Sequence, residues 1–242
     1  MSLPESATLF APAKLTVSLA VTGVRPDGMH LIDAEMVTLD FGDTLTISLG
    51  NGVSYQGTWD GEGDGTDLVS RALDLLGERR RVHVEKRIAP GAGLGGGSSD
   101  AAAVLCAAGF NDYVRAAQLG ADIAFSLEGG HSRVRGIGEI IEPLPDVERT
   151  FTLLTPPVHC STPAVYRAWD DLGGPRGENG NDLEAAALAV APELALWRDR
   201  LSDHASTQAR LAGSGATWFV EGAFPGDQMV VASTTSRRRI GS

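Results

Sequence analysis

Long hydrophobic runs are missing from this chain of 242 residues. The longest, AAAVLCAAGF at 101–110, is about half of what a bilayer-crossing helix needs. The opening MSLPESATLFAPAK has no basic segment followed by an apolar one, so no signal peptide is expected and the cytoplasm is the expected compartment. Cysteine is scarce. Cys106 and Cys160 stand far apart, which excludes a disulfide framework and a CxxC metal site. The five histidines are never spaced as metal ligands, and no metal-binding residue is expected. Positive charge is also short. The net charge of −11 argues against a nucleic-acid partner. Two basic runs, ERRRVHVEKR (78–87) and SRRR (236–239), read as solvated patches. Lysine is the rarest charged residue: of 20 basic residues only Lys14 and Lys86 are lysines. A compact ammonium in a chain that otherwise uses arginine draws attention to both positions.

Glycine, by contrast, is abundant. Five of the seven residues from 91 to 97 are glycine. A strand over 80s residues precedes this stretch: RVHVEKRI (81–88) alternates, with Val82, Val84 and Ile88 on one face. A helix is expected to follow from about Ser98. Gly91, Gly93 and Gly96 satisfy the dinucleotide pattern G-x-G-x-x-G, yet a central parallel strand would be apolar on both faces, and this one is not. A Walker A loop is excluded because Gly97 stands at its lysine position. The chemistry is independent of either label. Glycines let backbone N–H groups approach a ligand, and a helix N-terminus presents unpaired N–H groups and a positive dipole end. Such a loop suits phosphates. The candidate cradle runs through Pro90, Gly91, Ala92, Gly93 and Leu94, then Gly95, Gly96, Gly97, Ser98 and Ser99.

Elsewhere the patterns are mixed. LFAPAKLTVSLAVTG (9–23) alternates as a half-buried strand, with Lys14, Thr16 and Ser18 on its polar face. Residues 34–50 read as two strands around Gly42-Asp43, residues 66–80 as a helix, and 131–144 and 150–157 as strands. Thr162 before Pro163 reads as an N-cap opening a helix. A further helix over 183–201 is interrupted near Pro192, and 227–234 is a last strand. The sum is an α+β chain with mostly antiparallel sheets, expected to divide into residues 1–150 and 151–242.

Pro-x-x-Gly-Leu-Gly-x-x-Ser-Ser (90–99) resembles the phosphate loop of the GHMP kinases, two-lobed α+β kinases of small molecules. APAKLTVSL (11–19), RPDGMH (25–30), LGADIAFSL (119–127), STPAVYRAWD (161–170), NDLE (181–184) and GSGAT (213–217) extend the resemblance over most of the chain. It lies nearest the branch acting on 4-diphosphocytidyl-2-C-methyl-D-erythritol, an intermediate of non-mevalonate isoprenoid synthesis. The resemblance implies ATP as phosphoryl donor, Mg²⁺ accompanying the nucleotide, a small-molecule acceptor, no membrane partner, and a monomer or homodimer. It implies Asp122 as catalytic base with Lys14 beside it, which fits a reaction needing a proton acceptor and charge stabilisation. Lys86 matches a lysine just before the loop, which the resemblance implies as a residue facing the ATP phosphates; a plain strand-face lysine is the alternative. His30 and Tyr166 match residues that read and stack on cytosine; Thr16, Gly213 and Ser214 fall in the remaining substrate-site motifs. The chain differs from the pattern at Met29, where the branch has a tyrosine, at Thr16 and Asp67, where it has asparagine, and at 221–228, where it has a helix. Other readings are a kinase of another small alcohol, a non-catalytic nucleotide-binding relative, and, more remotely, a dinucleotide oxidoreductase.

Overall fold

The computed structural model describes residues 2–237, so the basic run at 236–239 lies partly outside the described residues. Strand β1 (Ala7–Val24) and strand β2 (His30–Leu49) form a long antiparallel hairpin. Two strands were expected where β2 is one. Gly42 explains the difference: a Cβ there would lie 2.6 Å from Pro12 Cα, so glycine lets the strand bend against its partner without breaking.

One edge of β2 pairs with β1. The other is shared: residues 44–49 pair with β5 (Arg80–Lys86), and residues 32–37 with β6 (His131–Gly136). Beyond β5 lie β3 (Gly52–Gly57), parallel to it, and β4 (Gly61–Glu62); beyond β6 lies β7 (Ile140–Pro143). The single strand expected over 131–144 is therefore a hairpin, turning at the glycines of 136–138.

Four helices are built around the first sheet: α1 (Leu68–Leu76), α2 (Gly96–Ala107), α3 (Tyr113–Leu119) and α4 (Ile123–Glu128). Helix α1 starts at Asp67, whose carboxylate accepts from Ser70 N, and stops at left-handed Gly77. Helix α2 begins at Gly96, two residues before the expected start. Its Ala101, Ala102 and Ala103 are fully buried. Small side chains let it lie close against β1 and α1.

The second sheet has the order β11-β8-β10-β9, from β8 (Thr150–Leu154), β9 (Arg210–Leu211), β10 (Trp218–Glu221) and β11 (Met229–Ser233), all antiparallel. Helices α5 (Thr162–Asp171), α6 (Glu184–Val190) and α7 (Leu194–Ala205) complete this half, with Pro192 between the last two as expected. Thr162 is not the cap of α5. Ser161 holds that position, and the Thr162 hydroxyl pairs with Ser214 Oγ at 2.8 Å. Leu15, Leu39, Phe151 and Phe219 share one buried cluster, so the two sheets close on a common core. Burying each such side chain contributes about 1.5–3 kcal/mol. Among the described residues no helix is long and apolar enough to cross a membrane.

Candidate active site

The glycine loop joins β5 to α2 and runs between the two sheets. Gly91, Gly93 and Gly95 all have positive φ, which explains why the loop is written in glycine. A Cβ on Gly93 would lie 2.5 Å from the Gly215 carbonyl oxygen, and one on Gly95 would lie 2.7 Å from Lys14 Cγ. A second glycine turn at 213–216 is stitched to the loop: Thr217 N donates to the Ala92 carbonyl (3.1 Å) and Ala216 N to that of Gly91 (3.3 Å). The NDLE motif supports this turn. Asn181 Nδ2 donates to the carbonyls of Leu211 (2.8 Å) and Gly213 (2.7 Å). Left-handed Gly95 is the N-cap of α2, and no side chain caps the helix. The first-turn N–H groups are thus left for an anion. Ser98 lies in that turn and lines the adjoining cavity. The Ser99 hydroxyl is engaged elsewhere, donating to the Pro12 carbonyl at 2.6 Å.

The loop walls two cavities. The first, about 380 Å³, is lined by the loop together with Tyr55, Trp59, Asp67 and Leu68. The Tyr55 and Trp59 rings stand 4.6 Å apart. Asp67 accepts from Tyr55 Oη (2.7 Å) and from Ser70 N and Oγ (2.9 and 2.6 Å). Burial works against its charge, but the hydrogen bonds from Ser70 and Tyr55 prevail and hold its carboxyl below the usual value. Tyr55 and Trp59 escaped the sequence reading because nothing in a short strand and turn marks them as neighbours of a distant loop.

The second cavity, about 510 Å³, lies across the loop and contains Lys14, Thr16, His30, Asp122, Tyr166, Gly213 and Ser214. Residues spread over 200 positions of sequence are brought together here. Lys14 Nζ lies 3.2 Å from Asp122 Oδ2 and donates to Thr16 Oγ1 at 2.9 Å. Lys14 and Thr16 were expected on the polar face of a half-buried strand. Both are buried, because residues 13–17 are covered on both faces, one of them by the glycine loop. Asp122 stands at the N-cap of α4 but makes no side-chain cap bond, and its carboxylate opens into the cavity. An aspartate and a lysine are thereby presented beside the glycine loop and the uncapped start of α2, an arrangement able to remove a hydroxyl proton near a phosphoryl group held there.

At the far end His30 Nε2 pairs with Asp170 Oδ1 at 2.9 Å, and its ring lies 4.6 Å from that of Tyr166. Trp169 closes the cluster edge-on at 5.7 Å. Burial, with the nearby charge of Asp122, pushes the Tyr166 hydroxyl well above its usual value. Met29 is half exposed at the rim. Lys86 does not lie free beside the loop. Its ammonium is held beneath it, 2.7 Å from Asp100 Oδ2 and in hydrogen-bond contact with Asp43 Oδ2. Neither Asp43 nor Asp100 was a candidate from sequence.

Among the described residues no group of three or more histidines, cysteines, aspartates or glutamates converges on a metal position. Magnesium keeps several water and phosphate ligands, so a cation bound with ATP needs few protein ligands.

Comparisons with known proteins agree with this geometry. A family profile described as the GHMP kinases N terminal domain matches residues 67–132. The 4-diphosphocytidyl-2-C-methyl-D-erythritol kinase of Paracoccus denitrificans (strain Pd 1222) is 39% identical over 231 residues, covering 86% of this chain and 84% of that protein. The protein of the same name from Rhizobium johnstonii (strain DSM 114642 / LMG 32736 / 3841) is 35% identical, covering 89% and 84%. A crystal structure of 4-(cytidine 5'-diphospho)-2C-methyl-D-erythritol kinase superposes with a TM-score of 0.75 at 28% identity, covering 98% of this chain and 100% of that one. A homoserine kinase from Cytophaga hutchinsonii, at 16% identity and a TM-score of 0.58, shares the fold.

Proposed function

We propose, from the premise that the chain belongs to the 4-diphosphocytidyl-2-C-methyl-D-erythritol kinases of the GHMP family, that it moves the γ-phosphoryl group of ATP to the 2-hydroxyl of 4-diphosphocytidyl-2-C-methyl-D-erythritol. One observation carries this reading: the glycine loop separates two cavities, and the Lys14–Asp122 pair stands in the second, against the loop. A donor seated on one side and an acceptor on the other would meet at the loop.

Each step falls to a named group. The purine of ATP occupies the cavity of Tyr55 and Trp59, and its phosphates lie on the N–H groups of residues 91–98 at the start of α2. Asp122 accepts the proton of the acceptor hydroxyl as its oxygen bonds to phosphorus and the bond to the ADP oxygen breaks. Lys14, held by Thr16, offsets the negative charge that gathers there. Magnesium carried by the nucleotide would supply neutralisation of phosphate charge. The cytidine lies toward His30 and Tyr166, with Gly213 and Ser214 closing the acceptor side. The cytoplasm is the compartment that such a biosynthetic role favours.

Met29 supports a second reading. A methionine stands at that rim where the branch has a tyrosine, which favours acceptors lacking a nucleobase. The test is ADP release by the purified protein with magnesium and ATP, with and without the cytidyl substrate, beside Asp122→Asn. Substrate-dependent release that the variant lowers by about 10²-fold or more is expected. Turnover of a non-cytidyl alcohol above the cytidyl one would decide for the second reading.

A further inference from the structure

Beneath the glycine loop lies a charge cluster that the proposed chemistry leaves unused. Asp43, at the bend of β2, is fully buried. Its Oδ1 accepts from Arg87 N and from Ile88 N (2.9 Å), and its Oδ2 from Lys86 Nζ. Asp100, at the fifth residue of α2, is 1% exposed. Its Oδ2 accepts from Lys86 Nζ at 2.7 Å, whereas its Oδ1 is buried without a hydrogen-bond partner. Two buried carboxylates therefore share one ammonium. This cluster touches the phosphate seat: a Cβ on Gly96, the first residue of α2, would lie 3.2 Å from Lys86 Nζ, and both Lys86 and Asp100 line the donor cavity.

Elementary electrostatics makes the third charge matter. Two carboxylates this close cannot both stay ionised without cost, and one ammonium compensates only one of them. Asp43 is saturated by donors, with both carboxylate oxygens engaged. Asp100 has a bare oxygen and is the member that takes a proton. Nucleotide phosphates then bring more negative charge to the same helix end.

We propose that Asp100 is a positioning residue that couples proton uptake to nucleotide binding: the Asp43–Lys86–Asp100 cluster holds the glycine loop from below and carries one more proton when phosphates sit above it. The proposal rests on the loop being the ATP site. It also changes the expectation for Lys86, which acts through the loop and not as a phosphate ligand.

The surroundings agree. Burial first, then the charge of Asp43, pushes the Asp100 carboxyl up to about 7 against the pull of Lys86. Among the residues lining the donor cavity, the other charged or titratable groups are Asp67, held ionised by its donors, and Tyr55, whose hydroxyl is pushed up by burial and by Asp67. Helix α2 contributes no further charge. Asp100 is thus the member positioned to titrate near neutrality.

The test uses the full chain with magnesium and the non-hydrolysable ATP analogue AMP-PNP. If binding requires a protonated Asp100, apparent affinity falls about twofold from acid to pH 7 and about tenfold by pH 8. Asp100→Asn, which is isosteric and neutral, should flatten that dependence. The nucleotide's own titration is common to both proteins and cancels in the comparison. Calorimetry in two buffers of different ionisation enthalpy should give net proton uptake near pH 7 for the wild type and less for the variant. The same pH slope in both proteins would overturn the proposal. If the variant does not fold, the wild-type proton count decides alone: no uptake beyond that of the nucleotide overturns it. Wild-type protein that binds no nucleotide at any pH would overturn the kinase reading itself, and this proposal with it.

Discussion

Replacing Lys14 with methionine isolates the charge on which the proposed transfer depends. Methionine keeps most of the stem that packs against Gly95 and removes the ammonium. Lys14 Nζ and Asp122 Oδ2 are 3.2 Å apart. At an effective dielectric constant of about 20, that separation corresponds to about 5 kcal/mol of Coulomb attraction. The Asp122 side chain is 31% exposed, so water screens part of it; about 3 kcal/mol is a fair remainder. A comparable attraction between the ammonium and the negative charge that gathers on the transferring group, lost in the transition state, is about 10²-fold in rate. The reduction should fall on kcat, because Lys14 stands on the proposed acceptor side of the loop and the proposed purine seat lies on the other. Steady-state ADP release with varied ATP and varied acceptor separates the two effects. Near-UV circular dichroism and a thermal melt control for folding. Turnover within threefold of wild type, in protein that melts normally, would refute the charge argument. A tenfold rise in KM for ATP at unchanged kcat would refute the placement of Lys14 on the acceptor side.

Two further outcomes follow from the same geometry. Trp59→Ala removes a ring from the wall of the donor cavity, and losing one stacking face from a base costs about 1–3 kcal/mol; KM for ATP should rise about tenfold while kcat holds, as initial rates over a range of ATP will show. Asn181→Ala frees two carbonyls of the second glycine turn that are now bonded at 2.8 and 2.7 Å; a loss of about 1–3 kcal/mol should appear in chemical denaturation, with kcat/KM falling alongside it because that turn braces the phosphate loop.

The glycine loop was legible in the sequence because its shape is carried by backbone, and backbone conformation leaves a compositional mark. Glycine at 91, 93 and 95 answers to positive φ and close approach, both of which follow from local chemistry. The Lys14–Asp122 pair was legible only through resemblance. Its members lie 108 positions apart, and no local pattern orders β1 beside α4. The break between α6 and α7 was readable from Pro192, while the continuity of β2 was not, because Gly42-Asp43 looks like a turn until β1 is laid beside it.

The buried cluster carries the more useful lesson, because part of its signal was present in the pattern. Strand alternation in 81–88 puts Val82, Val84 and Ile88 on one face, and Lys86 shares their parity. The structure buries all four on that face. Asp100, the fifth residue of α2, is followed by AAAVL, all buried, so the helix has no polar side there to lift a carboxylate into water. A charge denied water must be paired or neutralised. An inward lysine ahead of the loop and an inward aspartate behind it therefore predict each other, and their meeting point is the underside of the loop they flank. What no pattern could supply is Asp43. It arrives from a strand bend 43 residues before Lys86, and it turns a simple ion pair into a cluster with one carboxylate too many.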